Sequence, residues 1–298
     1  MAIEPEEVEK YRARRLWKRA EHRVHSRAQA RAFVESAGFA LVFPSPGTEL
    51  PSLWDAYTDK SFELGWGQDV STLWAWKDEL ASRREAASGP FFRGKASLIA
   101  PRLLGAFMAL AKAPKSEQEL AVAPADADSK AIFKTLAKYG PTARIGLRRL
   151  AGLDGKTASR RFGRVVETLE RTMRLAKVGV EQEAESHWPS QIYDLFVRAF
   201  PQAAIEAREL PRDQALQAIV RAHFEAVAVA RARPIANALS VRTREVDKAF
   251  AVLLQKGVIE PAGPGFPEAS FALAASARRR VLLAAAAATV PAPALKTP

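Results

Sequence analysis

Apolar positions recur with a helical period in several separate blocks of the chain. Residues 6–37 contain no glycine or proline and read as helix. Ser26 is placed to cap a second helix there, running to Ala37 and closed by Gly38. Phe39-Ala-Leu-Val-Phe43 is a short apolar run, broken by Pro44, Pro46 and Gly47, which predicts a strand. Residues 98–111 are expected to form a further apolar helix. Residues 113–128, rich in Ala, Pro and Asp, read as a linker.

Beyond residue 128 the pattern becomes regular. Residues 129–139 place Ile132, Phe133, Leu136 and Ala137 on one helical face, and Gly140-Pro141 stops them. Thr142 is expected to open a short second helix ending at Gly152. After the Asp154-Gly155 turn a third helix is predicted from Lys156 to about Met173. Its apolar stripe is Phe162, Val165, Val166, Leu169 and Met173. A strand over residues 174–180 follows. The same order recurs downstream: helices over 212–229, 234–239 and 243–256, then strands over 258–260 and 270–273 around a Gly/Pro tip. Helix, helix, turn, helix, strand is the order of a winged helix-turn-helix. The expected fold class is therefore α+β, mainly helical with small β wings, in tandem winged helix-turn-helix domains. The expected divisions are a basic N-terminal helix (1–25), a degenerate first winged-helix-like domain plus linker (26–127), a second domain plus connector (128–211), a third (212–277) and a tail (278–298).

Charge alters this picture by its location. The chain of 298 residues has 45 Lys and Arg against 33 Asp and Glu, a net charge of +12. Residues 128–182 hold 13 basic and 5 acidic side chains, whereas residues 32–90 hold 4 and 9. A localised positive excess predicts an anionic partner, and double-stranded DNA suits this fold. In the motif the third helix enters the major groove by its N-terminal end. The candidate DNA contacts there are Lys156, Thr157, Ser159, Arg160, Arg161 and Arg164, joined by Arg144, Arg148 and Arg149 on the preceding helix. The second copy offers Arg242, Thr243, Arg244 and Lys248, opposed by Glu245 and Asp247. The four tryptophans at 54, 66, 74 and 76 lie in the acidic stretch. They are read as core, because phosphates would be repelled there.

Chemistry beyond binding finds little support. With no cysteine there is no thiolate, disulfide or cysteine-held metal. No metal or cofactor is expected. His22 and His25 are spaced i and i+3 on the first helical segment without a carboxylate at ligand spacing, and His187 and His223 stand alone. No HExxH, GxSxG, phosphate-loop or dinucleotide fingerprint occurs. Carboxylates abound over 49–79, but spacing selects none as an acid or base. No run approaches the ~20 apolar residues of a membrane helix, and Met1 to Glu9 offers no secretory signal. The expected location is cytoplasmic, on the nucleoid.

Four segments resemble the winged-helix DNA glycosylases of the YcaQ/AlkZ family, in the branch described as AlkZ-related. They are Gly38-Phe-Ala-Leu-Val-Phe-Pro44, Glu49-Leu-Pro-Ser-Leu-Trp-Asp55, Trp74-Ala-Trp-Lys-Asp-Glu-Leu80 and Leu147-Arg-Arg-Leu-Ala-Gly-Leu153. The resemblance spans about residues 30–275. It implies tandem winged helices, the first degraded in sequence, and an association with DNA repair. Those glycosylases carry Gln-x-Gln or Gln-x-Asp before a proline. Aligning Gly38-Phe39 and Pro44 puts Leu41 and Phe43 at the two positions, neither able to activate water. Trp76 likewise stands where the family has histidine. The expected function is double-stranded DNA binding linked to repair or genome maintenance, leaning away from an enzyme. The alternatives are a glycosylase with altered catalytic residues, for which Glu49 and Asp55 are the weak candidates, and a transcription regulator. Oligomeric state is left open.

Overall fold

In the computed structural model, which describes residues 3–19, 22–63, 65–182 and 189–288, one order of elements occurs three times. Helix α1 (Pro5–Arg15) comes first. The first run is α2 (Arg27–Ala37), β1 (Phe39–Leu41), α3 (Leu53–Tyr57), α4 (Gln68–Ser82), β2 (Ala87–Phe92) and β3 (Lys95–Ile99). Helices α5 (Pro101–Leu110) and α6 (Glu117–Val122) lead into the second: α7 (Ala127–Tyr139), β4 (Thr142–Ala143), α8 (Arg144–Leu150), α9 (Lys156–Arg171), β5 (Leu175–Glu181) and β6 (Ser190–Leu195). After α10 (Phe196–Ala199) and α11 (Pro201–Glu209) comes the third: α12 (Arg212–Val227), β7 (Val229–Ala230), α13 (Ala232–Leu239), α14 (Thr243–Gln255), β8 (Ile259–Pro261) and β9 (Phe271–Leu273). Helix α15 (Ala275–Ala288) follows.

Each run closes its own antiparallel sheet with its last strand in the middle: β1-β3-β2, β4-β6-β5 and β7-β9-β8. The fold is α+β, mainly helix with small sheets, the class expected from the pattern. The first run has the complete order too, although its sequence repeats it least clearly.

Local chemistry accounts for most boundaries. Ser26 accepts from the Gln29 amide and starts α2, and Gly38 ends it at φ 86°. Gly140, at φ 74°, ends α7, and Ser240 ends α13 in the left-handed region. The expectation of one helix over 98–111 is corrected. Leu98 and Ile99 belong to β3, where they face Ala40 and Phe39 of β1. Pro101 sits at the first helical position of α5. A continuous apolar run has no period that separates strand from helix, whereas a proline fixes where a helix can begin. Thr142 likewise pairs with Tyr193 in a sheet, and α8 starts two residues later. The linker over 113–128 contains α6, capped by Ser116.

The N-terminal helix ends at Arg15, so His22 and His25 fall between α1 and α2, off any α-helix. His187 and the tail beyond residue 288 lie outside the described residues. Helix α1 is docked on the third unit. Tyr11 donates its hydroxyl to the Glu225 carbonyl at 2.6 Å, and Arg12 Nε donates to the Val227 carbonyl at 2.9 Å. These carbonyls belong to the last turn of α12, whose orphan acceptors need donors. Tyr11 and Arg12 thus cap a neighbouring helix.

Two junctions hold the units together. Helix α5 packs against both α11 and α12, with Leu103 to Leu110 buried. A Cβ on Gly105 would lie 2.7 Å from Glu206 Cβ, so α5 and α11 approach as closely as a glycine permits. The other junction is polar and buried. Lys77 Nζ of α4 lies 2.5 Å from Asp78 Oδ1, and Glu170 of α9 lies 3.1 Å from Lys177 Nζ of β5. Burial pushes Lys77 below and Glu170 above their ordinary values.

Candidate nucleic-acid interface

The N-terminal end of α9 is held by its apolar stripe. Phe162, Val166, Leu169 and Met173 are buried, and Val165 packs against them. Arg160 and Arg164 lie off this stripe and face outward, whereas Glu170, also off it, is buried. Gly155, at φ 93°, provides the turn before α9.

The structure sorts the expected contacts into two groups. Arg149, Thr157, Arg160 and Arg164 are exposed. Among the described residues, no carboxylate pairs with Arg149, Arg160 or Arg164. The others serve the fold. Arg144 lies 5.2 Å from the Phe162 ring centre and donates to the Tyr193 hydroxyl at 3.3 Å. Arg148 donates to Asp154 and to Ser159 Oγ, both at 3.1 Å, and so ties α8 to the first turns of α9. Arg161 is ion-paired with Asp128 at the start of α7. Lys156 opens α9, and its side chain lies outside those described.

In the third unit Thr243, Arg244 and Lys248 are exposed on α14. Arg242, also exposed, precedes the helix, and its amide donates to Glu245 at 3.1 Å. Glu245 is itself paired with Arg212 of α12. Hydrogen bonds from Arg212 and from the Arg242 amide hold its carboxyl below the usual range. Arg242, Arg244 and Lys248 line a cleft of about 1000 Å³ together with Lys112 and Arg212. The sequence pattern missed both of these cations, which come from a linker and from the start of another helix. No periodicity could have placed them beside α14.

The segment that resembles the glycosylase motif is apolar. Leu41 is fully buried in β1. Phe43 stacks on Phe62 at 4.9 Å and on Trp74 at 6.1 Å. Trp54 is buried and Trp74 and Trp76 are partly buried, in line with a core role, whereas Trp66 is 55% exposed. Glu49 is exposed, and Asp55 is part-buried with Lys18 Nζ 3.8 Å away. Among the described residues the buried carboxylates are elsewhere: Asp78, Glu170 and Asp194. Among the described residues no group of three or more His, Asp or Glu side chains could hold a metal ion, and no helix is long and apolar enough to cross a membrane.

These features define a class: an α+β protein of three like-ordered units, two of which present basic helix ends at the surface. Comparison with known proteins gives the family. A model described as AlkZ related matches residues 24–239, and the chain belongs to that family. No curated protein sequence matches it. Among solved structures it is similar to the DNA glycosylase AlkZ of Streptomyces sahachiroi, with a TM-score of 0.58 at 13% identity. That likeness covers 94% of this chain and 72% of the other, and it is a likeness of fold.

Proposed function

We propose that the chain is a cytoplasmic double-stranded DNA-binding protein of tandem winged helices, associated with DNA repair or genome maintenance. Its winged-helix domains are read as residues 26–127, 128–211 and 212–277, linkers included. Family membership supports the repair association. The observation that carries DNA binding is the set of exposed, carboxylate-free arginines at the N-terminal end of α9, Arg160 and Arg164 foremost, in the most basic block of the chain. Charges placed this way neutralise phosphates and release counterions, which dominates affinity at low salt. Arg242, Thr243, Arg244 and Lys248 form a second contact region at α14. Arg161 contributes less than its sequence neighbours, because DNA must compete with Asp128 for it.

Replacing Arg160 and Arg164 together with Ala is expected to weaken duplex binding alike on all sequences. The slope of log K against log salt should become shallower by about 2, one unit per lost phosphate contact. A salt titration by fluorescence anisotropy checks this, and an unchanged slope refutes the site.

Base excision is the second reading, favoured by the likeness to a DNA glycosylase. Against it stand the apolar Leu41 and Phe43 at the positions the resemblance would give to catalysis, and the exposure of Glu49. Robust base release from alkylated or crosslinked duplex would establish that reading.

A further inference from the structure

We propose that the cleft where the end of α5, the start of β5 and the α11–α12 connection meet is a phosphate-backbone site for nucleic acid, continuous with the cleft beside α14. This rests on the DNA-binding reading above and adds a surface that neither helix-turn-helix supplies.

The cleft has a volume of about 630 Å³ and gathers Lys112, Lys115, Arg174, Arg208 and Arg212 against Glu119 and Glu209. Two of these cations are notable for what they lack. Arg174 has no ion pair among the described residues, and its Nε is buried without a hydrogen-bond acceptor. A buried donor without an acceptor costs free energy, and Arg174 also lines the cleft, where its positive charge would favour an anionic oxygen. Lys112 is exposed, unpaired among the described residues, and held just past α5 in the left-handed region at φ 51°.

The shape favours a polymer over a small phosphate compound. Lys112 and Arg212 line both this cleft and the one holding Arg242, Arg244 and Lys248. The two clefts therefore adjoin at Lys112, whose charge is unpaired among the described residues, and at Arg212, which is paired with Glu245. The apolar part of the lining is Ala, Pro, Val and Leu, with no aromatic ring on which a free nucleotide's base could stack. Glu245, the carboxylate nearest this track on α14, is already neutralised by Arg212.

The test is a salt titration of a duplex of about two turns with the full chain, comparing wild type, Lys112→Asn, and Lys112→Asn with Arg174→Gln. Asparagine tolerates the left-handed backbone, and glutamine keeps a polar stem. The single variant should make the slope shallower by about 1 and the double variant by about 2. At about 0.1 M salt the double variant should bind at least tenfold more weakly. The single variant, at an exposed site, keeps the test decisive should the double variant misfold. Wild-type slopes in folded variants overturn the proposal. So does a loss of inorganic pyrophosphate binding with the duplex slope unchanged, which would assign the cleft to a small phosphate ligand. If wild type binds duplex and loses it through Arg160 and Arg164 alone, only this inference falls; if wild type binds no duplex, the DNA reading falls with it.

Discussion

Arg160 and Arg161 are adjacent and carry the same charge, but only Arg161 has a carboxylate partner, on α7. Helical spacing showed that both avoid the apolar stripe. It could not show that Asp128, 33 positions earlier, reaches one of them. The same holds for Arg144 and Arg148, which look like surface cations in sequence and are occupied by Tyr193, Phe162, Asp154 and Ser159. His223 makes the point with a proton. It is fully buried in α12, its ring parallel to Phe39 at 6.2 Å, and its Nε2 has no hydrogen-bond partner. Burial first, and the charge of Arg12 second, push its pKa from 6.5 down to about 4. The native state thus holds His223 neutral while the unfolded state takes a proton below pH 6.5. Its contribution to stability is complete above that pH and is lost as pH falls towards 4. The slope is at most about 1.4 kcal/mol per pH unit. Urea midpoints measured between pH 7 and 4 should fall with pH in the wild type, and His223→Phe should flatten that dependence.

At the scale of elements, α5 is the clearest case of a role invisible in sequence. Its apolar run reads as a buried helix and is one, once the two residues of β3 are separated from it. That it packs against both α11 and α12 follows from contacts made a hundred residues away. Gly105 marks that packing. A methyl group there would gain helix propensity of up to about 1 kcal/mol but would press on Glu206 Cβ at 2.7 Å. Overpacking of this kind costs about 1–3 kcal/mol, so Gly105→Ala should lower the denaturation midpoint. An unchanged or raised midpoint would mean that α5 and α11 can part at little cost. Elements with strong local signals were legible: α2 by Ser26 and Gly38, α7 by Gly140, α9 by its stripe. The strands β4 and β7, two residues each, exist only because a sheet partner is present.

For the whole molecule, two buried ion pairs lie where the first two units pack together. The Lys77–Asp78 pair on α4 and the pair of Glu170 on α9 with Lys177 on β5 feel each other's charge, with the Lys77 ammonium 4.2 Å from the Trp74 ring centre. In sequence these residues are an unremarkable pair in the acidic stretch and two members of the basic block. Removing one partner of a buried pair leaves a charge without compensation, which costs about 3–5 kcal/mol. Asp78→Asn should therefore destabilise the protein on that scale in equilibrium unfolding, while exposed Glu49→Gln stays within about 0.5 kcal/mol. Equal effects would show that the junction contributes no more than the surface does.

The sequence by itself determined the α+β class, the helices of the second and third runs with strands β5, β8 and β9, and the block in which the positive charge concentrates. Each depends on neighbours within a turn or two, where period, caps and breakers act. Tertiary structure alone decided which arginines are left for a partner, that the first run is complete, and that Lys112 and Arg212 stand beside α14. Pairing, burial and the meeting of clefts depend on distances between residues far apart in the chain, and no local pattern encodes those distances.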